Sequence, residues 1–596
     1  MFSSIQLSIK PRLTALASLL ILLANGGISN AVAAPKFSTT PKKDQAVVKA
    51  QAKEQGKVLT KNAAPFHWKN ATVYFLLTDR FNNADKKNDL AYGRRADAAP
   101  LRGYMGGDLK GVTEKIKEGY FNALGVNVLW ITPPVEQVHA GTDEGTGKSY
   151  GFHGYWARDF TKVDANLGSE ADFKNLVETA HRHGIRVLLD VVMNHTGPVT
   201  ETDTVWPNDW VRTTPQCDYK NADGAIKCTL VKNLPDFRTE SDQAVELPSF
   251  LIEKWKNEGR LQKEQAELDD FFKRTGYPRA PRYYLIKWHS DWVRKYGIDG
   301  FRVDTVKHVE AKVWKELKDN ASAAFEQWKL AHPHQVLSND AFFMTAEAYN
   351  YDIEHGLQFH MDGGDRINYY ANGFDSMINF GLKFAAQRDY ETVFARYDQL
   401  LQGELKPYSV LNYISSHDDD KPYDPARKHA LEAANKLLLA PGAAQIYYGD
   451  ESARSLIQAQ AQGDAVLRSF MNWDQLHSNA PLPEQAGISY RDVLHHWQLL
   501  GRFRQAHPAI GMGRHRMLSQ QPYVFERDWQ SDSGQDYVIV ALDLMKPSVG
   551  AKHQIPAGQF KDGQVVRDAY SGASSVVRQG KIEFDGRLSI LLLSAE

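Results

Sequence analysis

The stretch IRVLLDVVMNHTG, Ile185 to Gly197, is apolar through most of its length and turns polar at Asn194, His195 and Thr196. A run this short and this apolar fits a strand buried on both faces, as parallel sheets require. Seven further runs share the pattern: ATVYFLLTDRF (71–81), VNVLWITPPVE (126–136), GFRVDTVKHV (300–309), FFMTAEAY (342–349), FDSMINF (374–380), SVLNYISSHDD (409–419) and AAQIYYGDES (443–452). Amphipathic stretches separate them. GSEADFKNLVETAHRHG (168–184) is typical, with an acidic start, apolar spacings of three and four, and a glycine stop. Eight such strands alternating with helices predict an α/β fold, a closed (β/α)8 barrel.

The barrel is expected over residues 66–505, with a subdomain inserted after strand 3 at about 196–285. The first part of that insertion carries both cysteines, and the second, ELPSFLIEKWKNEGRLQKEQAELDDFFKR (246–274), reads as helix. After residue 505 alternating strands and turns predict a C-terminal antiparallel β-sandwich over 506–596.

Lys10 and Arg12 precede the apolar run LTALASLLILLA, which is too short to span a bilayer, and NAVAAP follows with small residues at a cleavage position. This predicts a signal peptide over 1–33 and a periplasmic or secreted protein, followed by a Lys-, Ala- and Gln-rich linker over 34–65. No later segment is long and apolar enough to cross a membrane, so no membrane association is expected after cleavage. The net charge of −1 gives no general affinity for nucleic acid. Cys217 and Cys228 are the two cysteines. In an exported chain they either close one short disulfide loop or remain thiols, and with no histidine between them they make a poor zinc site.

Chemistry gathers where the runs turn polar, which is the active end of such a barrel. In chain order the strand ends carry Asp190, Asn194 and His195, then Arg302 and Asp304, then Glu347, then His417 and Asp418. Arg302 and Asp304 lie two residues apart, on one face of a strand. Alone, they read equally as a structural ion pair. With Glu347 and Asp418 on neighbouring strand ends they read as the carboxylates of a retaining glycosidase, which needs a nucleophile and an acid about 5–5.5 Å apart. Apolar neighbours in TAEAY predict a raised pKa for Glu347, as a general acid requires.

Four segments, DVVMNHTG, GFRVDTVKH, AEAY and SSHDD, resemble in order the signature regions of the α-amylase family, glycoside hydrolase family 13. LPDF (234–237) resembles a fifth region. The likeness covers about residues 66–505, and the closest resemblance is to the family's bacterial periplasmic members. GYWARDF and TDRFNN are also similar to segments of its cyclodextrin glucanotransferases. The resemblance implies hydrolysis of α-1,4-glucans with Asp304 as nucleophile, Glu347 as acid/base and Asp418 as third carboxylate. It implies substrate contacts from Tyr155, His195, Arg302, Lys307, His308 and His417; rim packing is the alternative for Tyr155. It implies calcium held by Asn194, Asp236 and the His308 carbonyl, and a second calcium held by Asn83, Asp85, Asp89, the Gly106 carbonyl and Asp108. The implied partner is an α-glucan or maltooligosaccharide, and a monomer is expected. Two features depart from the family pattern: Ala346 stands before the acid where glycine is commoner, and Asp419 and Asp420 extend SSHDD, which is expected to alter the sugar subsites. The alternatives are a transglycosylase of the same family (a cyclodextrin glucanotransferase or maltodextrin glycosyltransferase), a cyclodextrinase, or a non-catalytic carbohydrate-binding protein.

Overall fold

All eight apolar runs form parallel strands: β1 (Thr72–Leu76), β2 (Val128–Ile131), β3 (Arg186–Val191), β4 (Gly300–Val303), β5 (Phe343–Ala346), β6 (Ser376–Asn379), β7 (Ser409–Asn412) and β8 (Ala443–Tyr447). Each pairs with its sequence neighbours, and β8 closes on β1. The computed structural model describes residues 65–361, 363–544, 552–585 and 588–596. The expected signal peptide, and the linker up to residue 64, lie outside those residues. Among the described residues no helix is long and apolar enough to cross a membrane.

Every residue of the eight strands is buried. Helices on the outside and packed side chains within leave these strands no wet face, which is why their sequences lack alternation. The Trp130 ring lies on Phe75 with centroids 3.8 Å apart. The helix Glu170–Arg182 starts on a reciprocal capping box between Ser169 and Asp172. Beyond its end Gly184 takes φ +72°, a left-handed conformation that glycine adopts without strain.

Between β3 and β4 the chain leaves the barrel. A short ladder pairs Val211–Arg212 with Asp236–Phe237, the helices Ser249–Asn257 and Leu261–Thr275 follow, and Pro281–Tyr296 returns the chain to the barrel. Cys217 and Cys228 are joined, with Cα atoms 4.9 Å apart. The excursion after β2 is shorter. There Val135–Gln137 pairs antiparallel with Ala157–Val163, and the connecting loop carries Tyr155.

The C-terminal region holds β9 (Arg514–Ser519), β10 (Tyr523–Ser531), β11 (Gly534–Leu542), β12 (Lys552–Pro556), β13 (Val565–Asp568), β14 (Ser574–Val576), β15 (Lys581–Asp585) and β16 (Leu591–Ala595). Six form an antiparallel sheet in the order β9-β10-β11-β16-β13-β14, and β12 pairs with β15 in a separate two-stranded layer. Side chains alternate with the two-residue period of a strand. Phe525, Val538, Val540, Leu542 and Leu592 join the barrel core. Val524, Ile539, Ala541, Leu591 and Leu593 pack instead against Ile555, Ile582 and Phe584 in a second core.

Candidate active site

Strand register brings the charged groups together. Arg302 of β4 pairs with Asp190 of β3 on one side and Thr345 of β5 on the other. Asp304 and Glu347 each follow directly on these strands. The Arg302 side chain is buried. Its Nη1 donates to Asp190 Oδ1 at 2.8 Å and to Asp304 Oδ1 at 2.7 Å, and its Nη2 lies 2.7 Å from Glu347 Oε1. One guanidinium therefore holds three carboxylates, an arrangement its planar fork suits better than an ammonium would. Thr305, next to Asp304, sits in the left-handed region at φ +46°. Its N–H donates to Glu347 Oε2 at 3.1 Å. A β-branched residue seldom adopts that conformation, and here it accompanies an amide turned onto the acid. Burial pushes the Glu347 carboxyl well above the usual glutamate range against the opposing Arg302 charge, and the Asp304 and Asp418 charges add to the rise.

Asp190 Oδ2 accepts from Tyr155 OH at 2.8 Å and Trp130 Nε1 at 3.0 Å. Tyr155 stacks on His417 at 5.2 Å and takes His195 Nε2–H on its backbone carbonyl at 3.0 Å. Burial lowers the pKa of both histidines; for His417 the charges of Arg468 and Arg302 lower it further, and for His195 the Asp304 charge opposes. Both therefore act as neutral hydrogen-bonding rings at neutral pH. Trp130, Arg302, Glu347, Tyr413 and Asp418 line one hollow at this end of the barrel. Asp418 stands at its mouth with 56% of its side chain exposed, 3.8 Å from Arg468 Nη2. Arg468 Nε also donates to the His417 carbonyl at 2.9 Å, and its Nη1 pairs with Asp464 at 2.7 Å. Asp464 in turn pairs with Arg102 at 3.0 Å.

Lys307 and His308 follow the Asp304 turn. The Lys307 ammonium lies 5.1 Å from the Tyr219 ring and 5.4 Å from the Tyr349 ring. His308 Nδ1 bonds the Ala225 carbonyl at 2.8 Å. The two extra acidic residues are placed differently from each other. Asp419 is turned into the fold and ion-paired with buried Lys383, with Asp420 3.5 Å from the same ammonium. A buried carboxylate needs such a partner, and Lys383 supplies it to Asp419.

Some of the oxygen donors named for the two expected calcium positions lie together, although among the described residues no group of three or more His, Cys, Asp and Glu side chains gathers as a metal site. Asp236 forms a bridge with His195, and its Oδ1 is buried without a hydrogen-bond partner. Burial pushes its carboxyl up to about 8 against donation from Asn194 and the Leu230 amide. A buried carboxylate with an orphaned oxygen, beside an asparagine, suits a hard divalent cation. At the second position Asn83 Nδ2 donates to Asp89 Oδ1 at 3.0 Å. A Cβ added at Gly106 would fall 2.2 Å from Asn83 Nδ2 and 2.7 Å from Asp89 Oδ1, so these three crowd one spot. Asn83 Oδ1 and Asn88 Oδ1 are buried and unpartnered. Asp108 differs, since its carboxylate already takes the amides of Ala84, Asp85 and Gly111. Asp85 Oδ1 accepts the Lys87 amide.

Sequence reasoning gave no role to Trp130, Asp190, Arg468 or Asp464. Asp190 was visible as a polar residue in an apolar run. The Arg468–Asp464 pair lies in a turn-rich stretch after β8 with no periodic signal, and only the fold brings it to His417.

A family model described as the α-amylase catalytic domain matches residues 75–484. The periplasmic alpha-amylase of Escherichia coli (strain K12) is 38% identical over 540 residues, covering 81% of this chain and 73% of that protein. The cyclomaltodextrin glucanotransferase of Thermoanaerobacterium thermosulfurigenes is 26% identical, covering 82% of this chain and 62% of its own length. Among solved structures, an alpha-amylase from Geobacillus thermoleovorans complexed with acarbose superposes with a TM-score of 0.61 at 21% identity, covering 89% of this chain and 99% of that one, a likeness of fold. With the family model matching more than half of its length, the chain belongs to the α-amylase family.

Proposed function

We propose that this chain is an exported α-amylase that hydrolyses internal α-1,4 bonds of maltodextrins or starch with retention of configuration. The observation that carries the reading is the single guanidinium of Arg302 bonded to both Asp304 and Glu347, which holds two carboxyl groups side by side at the mouth of adjacent strands. Asp304 attacks C1 while Glu347, kept protonated by burial, gives its proton to the departing oxygen. The carboxylate left on Glu347 then takes a proton from water, and that water releases the sugar from Asp304. Tyr155 offers a ring face to the sugar, His195 and His417 offer neutral hydrogen-bonding groups, and Asp418 with Arg468 closes the pocket mouth.

Calcium fits the oxygen donors of Asn194, Asp236 and the His308 carbonyl, where it would fix the inserted subdomain to the barrel. A second ion fits Asn83, Asp89 and the Gly106 carbonyl, with Asp85 and Asp108 shaping the loop. The similarity to a periplasmic relative supports export, as the N-terminal segment predicts. The test is a time course on maltoheptaose with NMR of the first products. Linear products released as the α-anomer support the reading. Cyclic or longer glucans as main products would assign a transglycosylase, and the β-anomer would remove Asp304 from the nucleophile's role.

A further inference from the structure

Over half of the Asp418 side chain is exposed, and Arg468 Nη2, at 3.8 Å, stands beyond hydrogen-bond reach. A carboxylate held so loosely takes its direction from the backbone on either side. On the N-terminal side that backbone is fixed by His417, whose buried ring stacks on Tyr155 at 5.2 Å and meets Phe75 edge-on at 5.0 Å, and whose carbonyl takes Arg468 Nε at 2.9 Å. On the C-terminal side the anchor is Asp419. Its side chain is 1% exposed and ion-paired with Lys383, itself 2% exposed. The amide of Tyr423 closes the turn on the Ile414 carbonyl at 2.9 Å, so both anchors act on one short loop.

Lys383 comes from the turn after β6, in the short helix Leu382–Ala385. Its ammonium lies 4.9 Å from the Phe384 ring and 5.9 Å from the Phe380 ring. Asp419 is the buried charge that compensates it, while Asp420, 3.5 Å away, is 64% exposed. Asp419 depends on Lys383 in turn, since its Oδ2 is buried without a hydrogen-bond partner. Well-packed apolar residues would serve stability as well as such a pair does. What the ions add is direction. With the Asp419 side chain drawn into the wall, the residue before it is left facing the hollow that Asp418 shares with Arg302 and Glu347.

We propose that Lys383 and Asp419 are positioning residues for Asp418: the buried pair clamps the exit turn of β7 to that of β6 and so holds the neighbouring carboxylate toward the sugar in the transition state. This rests on the amylase reading above. Removing one partner strands a buried charge, so two variants are used. Asp419→Asn keeps the shape, and Lys383→Met combined with Asp419→Leu removes both charges at once. Each is expected to lower kcat on maltoheptaose about ten- to a hundredfold, the order that misplacing a reacting group costs. KM should move far less, and the thermal midpoint of the double variant should stay near that of the parent. The deciding measurement repeats both changes in an Asp418→Asn background. There they should cost little more, because their effect passes through the carboxylate already lost. The same loss in both backgrounds would make the pair structural, and no loss in the parent background would separate it from the reaction; either result overturns the proposal and leaves the amylase reading standing. A parent that failed to cleave maltoheptaose would overturn the amylase reading and this proposal with it.

Discussion

Nη2 of Arg302 and Oε1 of Glu347 lie 2.7 Å apart, so the arginine two residues before Asp304 also grips the glutamate of the next strand. Arg302→Lys keeps one charge but loses the fork that reaches three carboxylates at once. Its kcat is expected to fall on the order of 10²-fold, a typical size for loss of an aligned electrostatic contact. KM should move far less, because the contact orients protein groups rather than substrate. Steady-state kinetics on maltoheptaose make the check.

Asp304→Asn removes the attacking oxygen while keeping a hydrogen-bonding group beside Arg302. Turnover is expected to drop by at least about 10³-fold, as when a covalent nucleophile is lost. Circular dichroism and the thermal midpoint should stay close to those of the parent. Unchanged turnover would exclude Asp304 as nucleophile.

Glu347→Gln ties activity to stability. Burial raises the Glu347 carboxyl well above 4.5, so the folded state keeps this proton over a pH range where the unfolded chain has lost it. Stability attributable to the group therefore falls as pH rises from about 4.5 through the raised value. The glutamine variant cannot titrate there. Denaturant melts at stepped pH should find it gaining on the parent as pH climbs through that window. Its kcat/KM should be low at every pH and lack the parent's alkaline limb, since that limb reports loss of the acid's proton.

Calcium removal should be felt mainly in the fold. With the ion at about 100 times its Kd, binding adds about 2.7 kcal/mol, which in a chain of this size is worth about 2–3 °C in the thermal midpoint. Chelation should lower the midpoint by at least that amount, since it strips both proposed ions. In Asp236→Asn, which weakens the donor set, chelation should lower it less. An equal response in parent and variant would separate Asp236 from the ion.

The barrel was legible because burial on both faces writes itself as uninterrupted apolar runs, and the candidate site because those runs break at fixed ends. Asp304 and Glu347 could be paired from sequence alone. That Arg302 serves both could not, because it depends on the register of Val303 opposite Ala346. The pairing of Asp419 was out of reach for a related reason. Its partner Lys383 is 36 residues earlier, and nothing local announces the pair. The Arg102–Asp464–Arg468 chain spans hundreds of residues and likewise exists only in three dimensions.

The alternating side chains of β10 and β11 carry a lesson for anyone trimming this enzyme. Phe525, Val538 and Val540 serve the barrel, while Val524 and Ile539 serve the layer beyond. A gene cut after residue 505 would leave the catalytic half with an uncovered greasy flank and would yield inclusion bodies rather than a smaller catalyst. The shortest useful version must keep the tail, and swapping in a foreign tail means matching every second residue of its inward face.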